Sequence, residues 1–297
     1  MANQRFLTVA VIGAPNVGKS TLVNALVGQK VSIASPKAQT TRCNLIGLMI
    51  EGEAQIALTD TPGFFAPRER LGRAMQYDMR TAIKASTGAL LVIDASWPNI
   101  EQSLPVLTGN RNLWSALVLN KIDRVARPKL LTLAQSLNTQ FPFEATFMVS
   151  ALKQDGIQDI RRFLAKMAPE GAWLYPEDQI TTLPLRLFAA ELTRERVYKH
   201  FYQEIPYACT VETTQWEDFT FKNETRVAQH IYIQKNSQRP ILLGQNGEKI
   251  HGIRESVQKE LSTVIERKVH LFLHVKVRDN WPEDKAFYDL WNLHYNA

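Results

Sequence analysis

Cysteine is nearly absent from this chain. Cys43 and Cys209 are the only two in 297 residues, one in each half. Two thiols so far apart offer no disulfide framework and no cysteine-built zinc site, and they suit a reducing cytoplasm. Long apolar runs are missing as well. No stretch of 18 apolar residues occurs, so no membrane-spanning helix is expected. The first residues, Met1-Ala2-Asn3-Gln4-Arg5, lead straight into an apolar segment, and no signal or transit segment is expected. Histidine is missing from the first half. All six lie in the second, at His200, His230, His251, His270, His274 and His294, with no metal-ligand spacing among them. There is no internal repeat and no low-complexity tract. A large net charge is also lacking, at +6 overall, and what charge there is lies unevenly. Residues 1–173 carry 19 Lys and Arg against 12 Asp and Glu, whereas 174–297 carry 16 against 17. Within that second part, 222–278 is a basic island of 11 against 5, as expected for a groove that follows phosphates.

The most informative segment follows the apolar run Phe6 to Ile12. It reads Gly13-Ala14-Pro15-Asn16-Val17-Gly18-Lys19-Ser20, then Thr21 opens a helical stretch. This is the pattern G-x-x-x-x-G-K-S between a strand and a helix. The glycines let backbone N–H groups close around a phosphate, and the helix N-terminus adds its partial positive charge. Lys19 can bridge two phosphates, and the Ser20 hydroxyl can hold Mg²⁺. Two further apolar strands end in motifs. The first ends in Asp60-Thr61-Pro62-Gly63, where Asp60 can reach the magnesium shell and the Gly63 N–H a γ-phosphate. The second ends in Asn120-Lys121-Ile122-Asp123. Asp123 can accept both N–H donors of guanine's edge, which adenine lacks, Asn120 can contact the base edge, and the Lys121 stem can cover the ring. Ser150-Ala151-Leu152 then closes the base pocket with backbone N–H groups. Four motifs in order, each at a strand end, point to GTP and GDP rather than ATP.

Between the first two motifs lies Ser35-Pro36-Lys37-Ala38-Gln39-Thr40-Thr41-Arg42. A threonine here can bind Mg²⁺ by its hydroxyl and the γ-phosphate by its N–H, so the segment orders only while GTP is intact. Thr41 is the expected ligand, beside Ser20 and Asp60. After Gly63 stands Phe64, where Ras-like enzymes carry a glutamine that orients the attacking water. A phenylalanine cannot do this. Asn16 offers one route around it, by binding K⁺ beside the phosphates; the other reading makes Asn16 a turn residue. The expected catalytic set is therefore Lys19, Thr41 and Asn16.

Residues 5–168 alternate strand and helix, which reads as α/β: a mostly parallel sheet with helices on both faces. Strands are expected over 6–12, 54–59, 88–94, 115–119 and 145–149, with 43–51 an edge strand. Helices are expected over 19–28, 71–85, 101–111, 128–140 and 157–167. The segment from Ala168 to Asp178 holds two prolines and a glycine and breaks the periodicity. The expected division is 1–172, a linker over 173–184, and 185–297.

In the last part a helix over 185–202 precedes strand-like runs over 206–214 and 226–235. Then Pro240 to Leu243 leads to Gly244-Gln245-Asn246-Gly247 and Lys249, and to a helix with Ile250, Ile253, Val257, Leu261 and Val264 on one face. A last strand, Val269 to Val277, alternates strictly. This α+β order, with G-x-x-G between two helices, is that of a type II KH domain with a core over about 205–278, whose loop clamps a nucleic-acid backbone. Phe287, Leu290, Trp291 and His294 fall at helical spacing and read as a packed terminal helix.

With Thr40-Thr41-Arg42 and Asp60-Thr61-Pro62-Gly63-Phe64, the first loop resembles those of the TrmE-Era-EngA group of P-loop GTPases. Together with the KH pattern and the Tyr175-Pro176-Glu177-Asp178 junction, essentially the whole chain resembles the Era family. The resemblance implies a monomeric, slowly hydrolysing GTP switch in the cytoplasm that binds the 3′ end of 16S rRNA and assists 30S subunit assembly. It also implies peripheral association with the inner membrane. Family members carry a basic residue inside G-x-x-G and an Ala-Arg pair on the next helix, where this chain has Gln245-Asn246 and Val257-Gln258. A second function class stays open: a GTP-controlled interaction protein at the membrane whose KH fold binds protein.

Overall fold

The computed structural model describes residues 4–37, 40–67, 69–101, 103–109 and 113–297. Two compact units emerge. One runs to Thr182 and takes in Trp291–Ala297 as well; the other is Leu183–Leu290.

The first unit is built on β1 (Arg5–Ile12), α1 (Lys19–Val27), β2 (Leu45–Glu51), β3 (Ala54–Asp60), α2 (Arg70–Ala85), β4 (Gly88–Asp94), α3 (Leu104–Thr108), β5 (Trp114–Asn120), α4 (Arg127–Gln140), β6 (Ala145–Met148) and α5 (Ile157–Met167). Its six strands lie in the order β2-β3-β1-β4-β5-β6. Only β2 is antiparallel to its neighbour. Strands β1, β4 and β5 read as continuous apolar runs because helices cover both faces of the sheet. Leu7, Val9, Val11, Leu90 and Val118 are fully buried accordingly. Every nucleotide motif follows the C-terminal end of a strand, so parallel pairing alone gathers the motifs along one edge. The strand order reverses beside β1, where the first loop leaves the sheet, and this is where α/β sheets form a ligand crevice.

Three features differ from the sequence expectation. The helix expected over 101–111 is a single turn among the described residues, with Pro105 in its first turn and Gly109 closing it. Gln102 and residues 110–111 of that span lie outside the described residues, as do Ala38 and Gln39 of the expected Mg²⁺-binding segment. The supposed linker is a strap on the sheet edge. Gln55 accepts the N–H groups of Leu174 and Tyr175 at 3.1 Å, Leu48 N–H donates to Ile180 O at 2.8 Å, and Thr182 N–H to Ile46 O at 3.1 Å. An edge strand has unpaired backbone groups, and a passing segment of any sequence can satisfy them. The last residues, assigned by sequence to the second part, complete the first. Helix α10 (Lys285–Trp291) stops three residues before His294, at Asn292 with φ 52°. His294 then pairs with Asp78 on α2 through Nδ1, and its N–H donates to the same carboxylate at 2.9 Å. Tyr295 lies under the Arg70 guanidinium, 4.5 Å from the ring centre.

The second unit comprises α6 (Leu185–His200), α7 (Ile205–Ala208), β7 (Cys209–Phe219), β8 (Glu224–Ile233), α8 (Gln238–Leu243), α9 (Glu248–Ile265), β9 (Lys268–Val277) and most of α10. Its sheet runs β7-β8-β9, with β7 antiparallel and β9 parallel to β8. Helices α6 and α9 bury Leu192, Val197, Ile253, Val257 and Leu261 against Val211, Val227, Ile231 and Leu271. On α9 the apolar face ends on Ile265 rather than Val264, which is exposed, because the four-residue step from Leu261 falls there. The outer edge of β9 is partly sealed by that helix: Ser262 Oγ accepts the Val269 N–H and Gln258 Oε1 the Leu271 N–H, each at 3.1 Å.

Candidate functional site

In the first unit the loop after β1 closes over a cavity of about 270 Å³ lined by Asn16, Lys19, Ser20, Thr21, Thr41 and Gly63, among others. Gly18 caps α1 in the left-handed region, at φ 100°. A Cβ there would stand 2.3 Å from the Asn120 amide nitrogen. Glycine is required on both counts. Gly13, Ala14, Pro15 and Val17 complete the loop. Lys19, 6 % exposed, donates from Nζ to Gly13 O at 3.2 Å and Ala14 O at 3.0 Å. Burial lowers its pKa to about 8, with Asp60 pulling the other way.

The three expected Mg²⁺ ligands are adjacent. Ser20 Oγ and Thr41 Oγ1 are 3.0 Å apart, and Thr41 Oγ1 is 3.5 Å from Asp60 Oδ2. The neighbouring Thr40 also lines the cavity, but its hydroxyl donates to Lys37 O at 2.7 Å. Burial pushes the Asp60 carboxyl up, and hydrogen bonds from Ser20, Ser32 and Thr41 and the Lys19 charge pull it back. Asp60 Oδ1 is buried and accepts no hydrogen bond. Hard oxygen donors around an unsatisfied buried carboxylate oxygen fit a magnesium ion. Ser32, which donates to Asp60 Oδ2 at 2.6 Å, belongs to this cluster, and no motif marks it in the sequence.

Beyond Asp60 the roles diverge. Thr61 is fully buried and donates to Val11 O at 2.8 Å, so its side chain braces two strands and does not enter the cavity. Pro62 leads to Gly63, which packs so closely on Pro15 that a Cβ would be 2.5 Å from its nitrogen. Gln76, on α2, donates to Gly63 O at 3.0 Å and so holds the start of this segment; sequence reading passed it over. Phe64 is 5 % exposed and packs in the core.

At the base end, Asn120 is fixed by two hydrogen bonds that leave the second N–H of its amide for the expected edge contact. Its Nδ2 donates to Val17 O at 2.9 Å and its Oδ1 accepts the Ala151 N–H at 3.0 Å, so one buried amide ties the phosphate loop to the base loop. Lys121 (φ 63°) donates to Asn16 O and to Asp94 Oδ2, each at 2.6 Å. Burial pushes the Asp94 carboxyl up, but the bonds from Lys121 and Ser96 outweigh it and hold it low. Asp94 stands opposite Asn120 in the sheet register, which is the signal that could have found it. Asp123 is exposed at the rim, and Ser150 Oγ donates to its Oδ1 at 2.7 Å, keeping the carboxylate ionised. Leu152 is exposed beside it.

In the second unit, Asn246 and Gly247 line a groove of about 460 Å³ that continues along Ile250, Arg254, Phe272 and His274, whereas Gly244 and Gln245 of the same loop do not line it. Gly247 (φ 80°) caps α9, and a Cβ there would meet only Ile250 Cγ2, at 4.0 Å. Arg254 Nη2 lies 2.9 Å from His251 Nδ1, and His251 Nε2 is 2.9 Å from Glu255 Oε1. The Lys249 ammonium lies 5.6 Å from the Phe201 ring centre.

Comparison with known proteins agrees with both units. Residues 8–121 match the family described as 50S ribosome-binding GTPase, and residues 204–282 match the KH domain family. GTPase Era of Brucella suis biovar 1 is 48% identical over 282 residues, which are 94% of this chain and 90% of that protein. GTPase Era of Afipia carboxidovorans is 47% identical over 289 residues, 97% of this chain and 94% of that protein. A crystal structure of Era in complex with MgGDPNP and nucleotides 1506–1542 of 16S ribosomal RNA matches with a TM-score of 0.90 at 33% identity, over 97% of this chain and 98% of that one. An Aquifex aeolicus Era variant bound to GDP·AlF4⁻ matches with the same TM-score and identity, over 97% of this chain and 99% of that one.

The fold and its motifs thus define a P-loop GTPase domain followed by a KH domain. The chain belongs to the Era family of GTPases, which bind GTP and GDP and hydrolyse GTP.

Proposed function

We propose that this GTPase switches an RNA-binding module that engages the 3′ end of 16S rRNA and assists assembly of the 30S subunit. The observation that carries the reading is the relative bound to MgGDPNP and nucleotides 1506–1542 of 16S ribosomal RNA, aligned with 97% of this chain. The open G-x-x-G groove in the second unit supports it independently.

Residues 13–21 cradle the phosphates, with Lys19 bridging the β- and γ-phosphates. Ser20, Thr41 and Asp60 would hold Mg²⁺, which would supply positive charge to the phosphates. The Gly63 N–H senses the γ-phosphate, and Asp123 reads guanine between the Lys121 stem and Ser150-Ala151-Leu152. Hydrolysis is slow because Phe64, packed in the core, cannot orient water. Asn16, exposed at φ 66° on the cavity wall, recruits K⁺ beside the phosphates. Gly244, Gln245, Asn246, Gly247 and Lys249 take the RNA backbone. The protein works as a monomer in the cytoplasm, consistent with two buried cysteines that form no disulfide. No described helix is long and apolar enough to cross a membrane, so contact with the inner membrane in this reading is peripheral.

The test is crosslinking of the protein to RNA in cells, followed by sequencing. Crosslinks concentrated at the 3′ end of 16S rRNA are expected. Crosslinks to protein alone would replace this reading with the membrane-interaction class.

A further inference from the structure

The groove beside the G-x-x-G loop does not end at that loop. Along the face of β9 turned away from α6 and α9 stand Lys268, His270, Phe272, His274 and Lys276, every second residue of the strand. Phe272 is 41% exposed and lines the groove together with Gly247 and Arg254. In the sheet register it faces Ala228, whose small side chain leaves its ring room. The Arg226 guanidinium, from the adjoining strand, lies 5.0 Å from the ring centre. Glu224, the acid of this column on β8, is engaged by Lys268 at 3.0 Å and His270 at 3.1 Å. Among the described residues, Arg226 makes no ion pair, so its N–H donors are uncommitted. A planar cation on an exposed aromatic ring, with further cations on either side, is the chemistry that takes an unpaired base and its phosphate.

We propose that Phe272 and Arg226 form a stacking site for one unpaired base of single-stranded nucleic acid, extending the G-x-x-G groove onto the outward face of β9. This rests on the RNA-binding reading above. The edge of the same strand supports it. The N–H groups of Val269 and Leu271 are sealed by α9, and by the two-residue period of a strand the Leu273 N–H points from that edge beside the G-x-x-G loop. A base held edge-on at Leu273 leaves its neighbour within reach of the Phe272 ring, while Arg226 neutralises the intervening phosphate. Of the acids nearby, Glu255 is paired with His251, Glu248 lines the groove from the first turn of α9, and Glu217, opposite Arg226 in the register of β7, makes no ion pair with it.

The experiment uses the full chain and a fluorescein-labelled single-stranded RNA of the 3′-terminal 16S rRNA sequence. Stacking contributes about 1–3 kcal/mol per base, so Phe272→Ala should weaken binding about 5- to 150-fold with the log–log salt slope unchanged. Phe272→Trp should keep near-wild-type affinity, and its emission should be quenched on RNA binding. Arg226→Gln should lower the salt slope by about 0.7, the share of one single-strand phosphate. Melting temperatures are compared first; Phe272 is exposed, so they should coincide with wild type. If wild type binds and folded Phe272→Ala binds within twofold of it, the stacking site is wrong while the RNA reading stands. Equal weakening by Phe272→Ala and Phe272→Trp also overturns it. If wild type itself does not bind the RNA, the reading beneath it fails, and this site with it.

Discussion

Each unit of this protein starts a helix from a left-handed glycine in a loop, and the two glycines live in different worlds. Gly18 leads into α1 from a loop with no space to spare, where an added Cβ would strike the Asn120 amide at 2.3 Å. Gly247 leads into α9 from a loop that faces open space, with the nearest atom to an added Cβ at 4.0 Å. Both helices offer unpaired N–H groups and a positive dipole end to an anion. The first loop is roofed for a mononucleotide that must be enclosed; the second is left open, as a polymer requires. One backbone device thus serves a buried pocket and a surface track, and the surrounding packing decides which.

Gly18→Ala breaks the comparison most severely. A non-glycine residue at this φ costs about 1–2 kcal/mol. Displacing Asn120 also strands two buried backbone groups at about 1–3 kcal/mol each. Nucleotide affinity should fall more than about a hundredfold in a fluorescent-GDP titration, while RNA binding survives. An unchanged titration would mean that the loop rearranges freely. Gly247→Asp should do the reverse. It should abolish RNA binding and leave GTP affinity near wild type, because its carboxylate meets phosphate and nothing packs against it. Melting temperature must stay close to wild type for that result to count, since the left-handed φ is the competing cause.

Asp123→Asn should weaken GTP by about 1.5–3 kcal/mol, the worth of a charge-assisted hydrogen bond, and improve xanthosine triphosphate. Equal GTP affinity in both proteins would sink the assignment of Asp123. A subtler difference lies in Lys19. Its folded pKa of about 8 is below the model-compound value of 10.5, so between those values the unfolded chain binds more protons. Stability of the nucleotide-free protein should therefore rise with pH across that window, and the penalty should be fully present below about 8. Bound phosphates favour the ammonium, so GTP binding near pH 9 should take up part of a proton. Calorimetry in buffers of different ionisation enthalpy would show it, and Lys19→Met should remove it. The smallest effect expected is at Asn16. Replacing K⁺ by Na⁺ should slow turnover several-fold in wild type and not in Asn16→Ala; equal rates in both salts would return Asn16 to a turn role.

The elements that follow from periodicity and from charged or glycine motifs were legible from sequence. The strands that end in Asp60 and Asn120, and the one that leads into Gly13, fall where apolar runs place them, and Thr41 stands beside Ser20 and Asp60. What was illegible depends on groups without a side-chain signature or on neighbours far away in the chain. The strap over 174–182 is held largely by backbone donors and acceptors, which any sequence possesses. Ser32 and Gln76 are ordinary polar residues until folding brings Asp60 and Gly63 to them. The tie from Asn120 to Val17 and Ala151 was illegible because the motif marks a ligand contact and says nothing of the two loops that its amide joins. Val264 misled because three-residue and four-residue steps from Leu261 look alike in sequence and only packing chooses between them.

The pairing of His294 and Tyr295 with Asp78 and Arg70 has a consequence for how this molecule is made. Synthesis is vectorial and domains ordinarily fold in the order they emerge. Here the first unit to appear is the last to be finished, because its final pieces follow the entire second unit. A ribosome-bound chain arrested at Leu290 would present α2 without His294, the partner of Asp78. A protease that cleaves uncovered helices should cut such a chain near Tyr77 and spare the released protein.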